Sequence, residues 1–110
     1  MKEDYSEEVK KLIKKYKKEE IEYGKPFGYL LFRNKATKEE IEKEIINCEN
    51  LEFTEKQKKK EEVRYLLYFV YSRKRGRAYV LKFGKKLRII TIYPLGKRTL
   101  RRYRKRRFKK

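Results

Sequence analysis

Lys82, Arg88, Thr91 and Tyr93 stand at the margin of the most apolar part of the chain, and Arg98 and Tyr103 follow in a short basic tail. Those residue types suit chemistry on a phosphodiester. Attack on RNA by its own 2′-hydroxyl needs a base for that hydroxyl, cationic stabilisation of the phosphorane and a proton for the leaving 5′-oxygen. Arg88 or Arg98 would hold the phosphate, and Tyr93 or Tyr103 would serve as acid or base. The chain has no histidine, so the base has to be a tyrosinate or a lysine far from the ordinary value of about 10. A surplus of 19 positive charges is expected to lower both. The plainer reading of Thr91 and Tyr93 is strand packing, and of Lys82 and Arg88 an exposed strand end.

Binding alone asks for less. Arginine contacts phosphate through two parallel hydrogen bonds, and tyrosine offers a face on which unpaired bases stack. Tyr65, Tyr68, Tyr71, Tyr79, Tyr93 and Tyr103 are interleaved with Arg64, Arg73, Arg75, Arg77, Arg88 and Arg101. The residues expected to touch nucleic acid are Arg73, Arg75, Arg77, Arg98, Arg101, Arg102, Tyr103 and Arg104. Tyrosines on covered faces of a sheet are lost to stacking.

The distribution of charge sharpens this. Residues 1–62 hold 16 Lys+Arg against 16 Asp+Glu, whereas residues 63–110 hold 19 Lys+Arg and no acid. A solvated surface intersperses both signs, as the first half does. A one-signed field attracts polyanions. The expected partner is nucleic acid, RNA before DNA, with the ribosome and an acidic antitoxin protein as further candidates and an anionic membrane or another acidic protein as the alternatives.

The elements that position these residues follow from periodicity. Asp4 and Ser6 precede a helical run, with Asp4 and Glu7 at capping-box spacing, and Val9, Leu12, Ile13 and Tyr16 form its apolar stripe. Gly24 and Pro26 are expected to end it. Phe27–Phe32 is an apolar patch that reads equally as a short strand or a helical turn. Thr37 and Glu40 form a second capping box for a short helix that buries Ile41, Ile45 and Ile46 and stops near Asn47–Asn50. Residues 51–57 read as an edge strand or an irregular lead-in, and Gln57–Lys60 as a turn.

A meander follows. Along Val63–Ser72 both alternating sets are apolar in the middle, the mark of a central strand covered on both faces. Arg77–Phe83 is the next strand, and Gly84-Lys85 suits a two-residue turn. That turn sets Leu81 opposite Arg88, Tyr79 opposite Ile90 and Arg77 opposite Ile92, and puts Lys82, Thr91 and Tyr93 on the other face. Pro94 and Gly96 stop the sheet. The tail from Lys97 has 10 basic residues in 14 positions. Leu100 and Tyr103 can anchor a helical turn there; otherwise such a segment stays disordered until it meets its partner.

Together these features predict an α+β fold: two N-terminal helices packed on a three- to four-stranded antiparallel β-meander, with a basic C-terminal tail or helix. All 110 residues are expected to form one domain, with 1–50 helical, 51–96 sheet and 97–110 basic tail. Cys48 is the single cysteine, which excludes an internal disulfide and a multi-cysteine zinc site and suits a reducing cytoplasm. Its plain role is a small hydrophobe at a helix end. The acids are interleaved with lysines rather than clustered, so neither a metal nor another cofactor is expected, and glycosidase chemistry is disfavoured. No apolar run reaches about 18 residues, so no membrane span is expected.

Two helices followed by a meander is also the outline of small RelE-like and barnase-like ribonucleases, several of them toxins of toxin–antitoxin pairs. Lys35-Ala36-Thr37-Lys38-Glu39-Glu40-Ile41 looks like the helix-opening G-I-S-x-E-E-V of the small family catalogued as domain of unknown function 4258. Arg88-Ile89-Ile90-Thr91-Ile92-Tyr93-Pro94, with Tyr103 beyond, is similar to its closing V-V-T-V-Y-P…R-R-Y. The resemblance covers roughly residues 27–103. It implies a metal-independent endoribonuclease, and by the same resemblance RelE-like toxins cut mRNA on the ribosome with Lys, Arg and Tyr. One departure stands out: members commonly carry a histidine near the position of Phe27–Tyr29, and this chain has none. A non-catalytic RNA- or DNA-binding protein on the same scaffold is the alternative.

Overall fold

The computed structural model describes residues 3–24, 37–72 and 74–108, with the side chains of Lys59 and 103–108 left out. Helix α1 spans Ser6–Ile13 and buries Val9 and Ile13, one turn apart on one face. Glu7 and Glu8 in its first turn and Lys10 and Lys11 in its last complement the helix dipole. The expected capping box is not used. Asp4 Oδ1 instead accepts from the Ser6 N–H (3.0 Å), the Ser6 hydroxyl (2.6 Å) and the Thr54 N–H (3.1 Å), tying the start of α1 to a distant strand.

The helix does not run on to Gly24. It stops at Ile13, a 3₁₀ turn follows at Lys18–Glu20, and Ile21–Tyr23 form strand β1. Helix α2 is Lys38–Asn47, capped by the Thr37 hydroxyl, which accepts from the Glu40 N–H at 3.2 Å. Ile41 and Ile45 are fully buried, but Ile46, expected beside them, is 40% exposed because it falls off their face. Cys48 ends α2 in the left-handed region (φ 52) and its buried thiol donates to the Ile45 carbonyl. Burial pushes that thiol up to about 11, away from thiolate chemistry.

Strands β2 (Leu51–Lys59), β3 (Glu62–Val70), β4 (Gly76–Phe83) and β5 (Leu87–Pro94) form the meander, and helix α3 (Lys97–Phe108) closes the chain. The sheet order is β1-β5-β4-β3-β2, with β1 parallel to β5 and every other pair antiparallel. The expected three- to four-stranded antiparallel sheet is therefore corrected to a mixed sheet of five strands among the described residues. Its extra member comes from the part read as helix. A strand as short as β1 leaves no periodicity to read, and it exists through pairing: Ile21 with Leu87, Glu22 with Arg88, Tyr23 with Ile89.

The turn between β2 and β3 also differs from the expected one. Residues 57–59 continue β2, and the reversal is made by Lys60-Glu61, with Lys60 at φ 55. The apolar patch at 27–32 lies outside the described residues.

Helices α1 and α2 cover one face of the sheet, over a core that includes Val9, Ile13, Ile41, Ile45, Leu67, Phe69, Tyr79 and Leu81. The other face carries a second core of Phe53, Leu66, Tyr68, Val70, Ala78, Leu95 and Leu100. Strand β3 thus contributes to both, as its two apolar sets imply. Leu100 (3% exposed) seats α3 on this second face, against β2 and β3. The fit depends on Gly76: a methyl group there would meet Leu100 Cδ2, Leu95 Cδ1 and the Phe69 carbonyl oxygen, each at 2.8 Å.

Candidate nucleic-acid interface

The β4–β5 connection has three residues, Gly84–Lys86, so Phe83 pairs with Leu87 and Lys82 with Arg88. This overturns the register set by a two-residue turn, in which Arg88 stood opposite Leu81. A bulge then follows, with Leu81 paired to Ile89 and Val80 to Thr91, so that Ile90 is the extra residue. Thr91 stands beside Val80 and Tyr93 beside Ala78. Arg88 and Thr91 are an odd number of residues apart, and simple alternation would place them on opposite faces. The bulge returns them to the same face, so Lys82, Arg88, Thr91 and Tyr93 share the second face of the sheet.

Two of the four are engaged by acids from the first half of the chain. Lys82 Nζ lies 2.9 Å from Glu62 Oε1, and Arg88 Nη1 lies 3.6 Å from Glu22 Oε1. Glu62 also holds Arg64, through Nε at 2.8 Å. Its carboxyl sits below the usual range because of Lys82 first and Arg64 second. Arg64 was absent from the expected contact residues, although its alternation with Leu66 was a usable signal.

The tyrosines divide sharply. The Tyr65 hydroxyl donates to Glu8 at 2.5 Å and that of Tyr68 to Glu55 at 2.6 Å, while Tyr23 donates to Glu42 and Tyr79 to Glu44. Burial, and then the adjoining glutamate, raises Tyr23, Tyr65 and Tyr71, and burial followed by the Glu44 charge raises Tyr79. The Tyr71 hydroxyl is buried and meets no hydrogen-bond partner among the described residues, although Glu44 is close enough to raise it. The expectation that the positive field lowers tyrosine fails at all these positions, because local burial and a touching carboxylate outweigh distant, solvent-screened cations. Among the described residues Tyr93 is the exposed tyrosine, at 36%.

Arg77 does not face solvent with the rest. Its guanidinium donates to the Tyr79 hydroxyl at 3.2 Å and to Glu44 at 3.4 Å, and packs over the Tyr71 ring. It fastens β4 to α2, and the alternation that turns Lys82 and Tyr93 outward turns Arg77 inward.

At the opposite end of the second face, α3 exposes Lys97, Arg98, Arg101 and Arg102, none of which meets a carboxylate among the described residues. Its first turn holds no acid, the charge pattern that the positive end of the helix dipole disfavours. Arg75 is exposed in the β3–β4 connection, next to the Gly76 on which α3 rests. Tyr103 and Arg104 fall within α3, with side chains outside the described residues, as is Arg73 altogether.

Among the described residues no cluster of His, Cys, Asp or Glu could hold a metal ion, and no helix is long and apolar enough to cross a membrane. Comparison with protein-family models, curated proteins and solved structures finds no match.

Proposed function

We propose that the protein binds nucleic acid, RNA in preference to DNA, through the exposed face of α3 with Tyr93 beside it. The observation that carries this reading is the set Lys97, Arg98, Arg101 and Arg102, exposed and without carboxylate partners among the described residues, on a helix whose half of the chain contains no acid. A helix stripped of acids opposes its own dipole and repels itself, so its charge is better understood as complementing an external polyanion. Tyr93 adds a ring face for an unpaired base, which favours single-stranded RNA.

The test is fluorescence anisotropy with a labelled single-stranded RNA. Replacing Arg98, Arg101 and Arg102 together by Gln is expected to weaken binding at least tenfold at low salt. Unchanged affinity in a folded triple variant would overturn the reading.

A second reading is cleavage, favoured by the bulge that gathers Lys82, Arg88, Thr91 and Tyr93 on one face. In that reaction the 2′-oxygen bonds to phosphorus and gives up its proton to a solvent water, the P–O5′ bond breaks, and the 5′-oxygen takes a proton. Arg88 and Lys82 would hold the phosphorane, and Tyr93 would protonate the leaving oxygen. This reading would make the chain a relative of RelE-like and barnase-like ribonucleases, with the ribosome and an acidic neutralising protein as partners. RNA incubated with wild type should then yield 2′,3′-cyclic phosphate ends that Tyr93→Phe and Arg88→Ala abolish. Absence of such ends, with and without ribosomes, leaves the binding reading alone.

A further inference from the structure

A ladder of charges crosses the second face of the sheet at the end remote from α3. Glu22 on β1 pairs with Arg88 on β5, Arg88 stands opposite Lys82 on β4, and Glu62 on β3 bridges Lys82 and Arg64. Three cations thus share two carboxylates. Side-chain exposure runs from 32% at Glu62 to 51% at Arg88, so these pairs are solvent-screened and exchangeable rather than locked. Beside them an open cleft of about 660 Å³ is lined by Lys60, Glu61, Glu62, Val63, Lys82 and Phe83.

The ladder and α3 lie on one face with a passage between them. Helix α3 lies against β2 and β3, and leaves Val80, Thr91 and Tyr93 on β4 and β5 half-exposed or exposed. Gly76 touches α3, and Lys82 stands about 20 Å further along the same strand at ~3.3 Å per residue.

We infer that the ladder is a second phosphate subsite for the same single strand that α3 binds, with Glu62 and Glu22 occupying its cations until nucleic-acid phosphates displace them. This rests on the reading of α3 as an RNA-binding helix. A strand leaving Arg98, Arg101 and Arg102 and running along β4 and β5 passes the exposed ring of Tyr93, then meets Lys82, Arg88 and Arg64. At about 3.4 Å per stacked nucleotide the distance corresponds to on the order of six nucleotides. The internal carboxylates act as competing anions. Exposed ion pairs of this kind are worth up to about 1 kcal/mol, so their competition lowers affinity by up to about fivefold. They also let the ladder keep three cations together on a folded sheet without a bound ligand.

The test compares single-stranded RNAs of 4 and 12 nucleotides and a 12-base-pair duplex, by anisotropy at low salt. The quantity read is the ratio of 12-mer to 4-mer affinity. Glu62→Gln is expected to raise that ratio about two- to fivefold, and the double variant Lys82→Ala with Arg88→Ala to lower it by tenfold or more. Melting temperatures establish that each variant is folded. Ratios equal to wild type in both variants would overturn the subsite while leaving α3 as the binding helix. Failure of every oligonucleotide to bind wild type would overturn the function reading and the subsite together. A gain in Glu62→Gln that is as large for the duplex as for the 12-mer would overturn the assignment to a single strand.

Discussion

Lys82 on β4 and Arg88 on β5 stand directly opposite each other, and each cation is compensated from a different neighbouring strand, by Glu62 of β3 and Glu22 of β1. Like charges directly across a sheet repel. The juxtaposition persists because two acids from the neutral half of the chain reach the basic half where neighbouring strands bring them together. Elsewhere Glu8, Glu42, Glu44 and Glu55 accept from tyrosine hydroxyls, Glu44 also holds Arg77, and the cations of α3 meet no carboxylate among the described residues.

Binding through α3 should show in the salt dependence. For single-stranded RNA, log affinity is expected to fall linearly with log salt concentration, and replacing Arg98, Arg101 and Arg102 by Gln should reduce the slope by about 2. A slope identical to wild type would mean that these arginines contact no phosphate.

Glu44 is the fastening of α2 to the sheet. It accepts from Tyr79 and from Arg77, whose side chain is 15% exposed. Glu44→Ala is expected to destabilise the fold by about 3 kcal/mol, since it strands a largely buried guanidinium. Adding Arg77→Met should recover part of that loss in a denaturant melt. Additive losses in the double variant would count against this pairing.

Gly76 determines how closely α3 can approach. A methyl group would meet two flexible leucine ends and one backbone carbonyl, and the Phe69 carbonyl cannot move away cheaply. Gly76→Ala is expected to destabilise by about 1–3 kcal/mol and to loosen α3. Amide exchange along residues 97–102 should quicken more than exchange in β3. Uniform acceleration instead would show that α3 is not specifically displaced.

Lys60 occupies the first position of the two-residue β2–β3 turn at φ 55, where glycine is at ease and a side chain is not. Lys60→Gly is therefore expected to stabilise the protein by about 1 kcal/mol, read from the midpoint of a urea melt. A fall in the midpoint would place a stabilising contact on the Lys60 side chain.

Alkaline pH should unfold the protein through its tyrosines. Burial and the touching glutamates raise Tyr23, Tyr65, Tyr71 and Tyr79 above the ordinary value near 10. The unfolded chain then loses these protons first, so the stabilisation is complete below pH of about 10 and is lost as pH rises beyond it. Phenolate absorbance is expected to rise cooperatively, together with loss of the far-ultraviolet circular dichroism. Independent titration near 10 with the fold intact would contradict the Glu–Tyr bonds.

Much of this was legible locally. Thr37 and Glu40 announced the start of α2, and the doubled apolar sets of Val63–Ser72 announced a strand covered on both sides. The Arg88–Tyr93 segment reads as a strand from its residues, but its register does not. One extra residue in the Gly84–Lys86 turn reverses which face Arg88 takes, a bulge at Ile90 keeps Thr91 and Tyr93 on that face, and neither leaves a mark in composition or alternation. Strand β1 was missed for a related reason: Ile21-Glu22-Tyr23 is too short to be periodic and is a strand only because β5 lies beside it. Charge alone marks Arg77 as a contact residue, whereas Glu44 and Tyr79 hold it inward.

Charge separation along the chain is a property of composition, and it alone makes the second half a polyanion-seeking surface wherever the fold puts it. Helix caps and two-sided burial are equally local, because they depend on neighbours a few residues away. The identity of the free cations is not local. Glu22 meets Arg88 and Glu62 meets Lys82 only after β1 has docked parallel to β5 and the three-residue turn has set Arg88 opposite Lys82. Cations of the same type thus end as an inward anchor at Arg77, a neutralised ladder at Lys82 and Arg88, and an exposed helix face at Arg98, Arg101 and Arg102, because carboxylates far away in sequence reach some of them and not others.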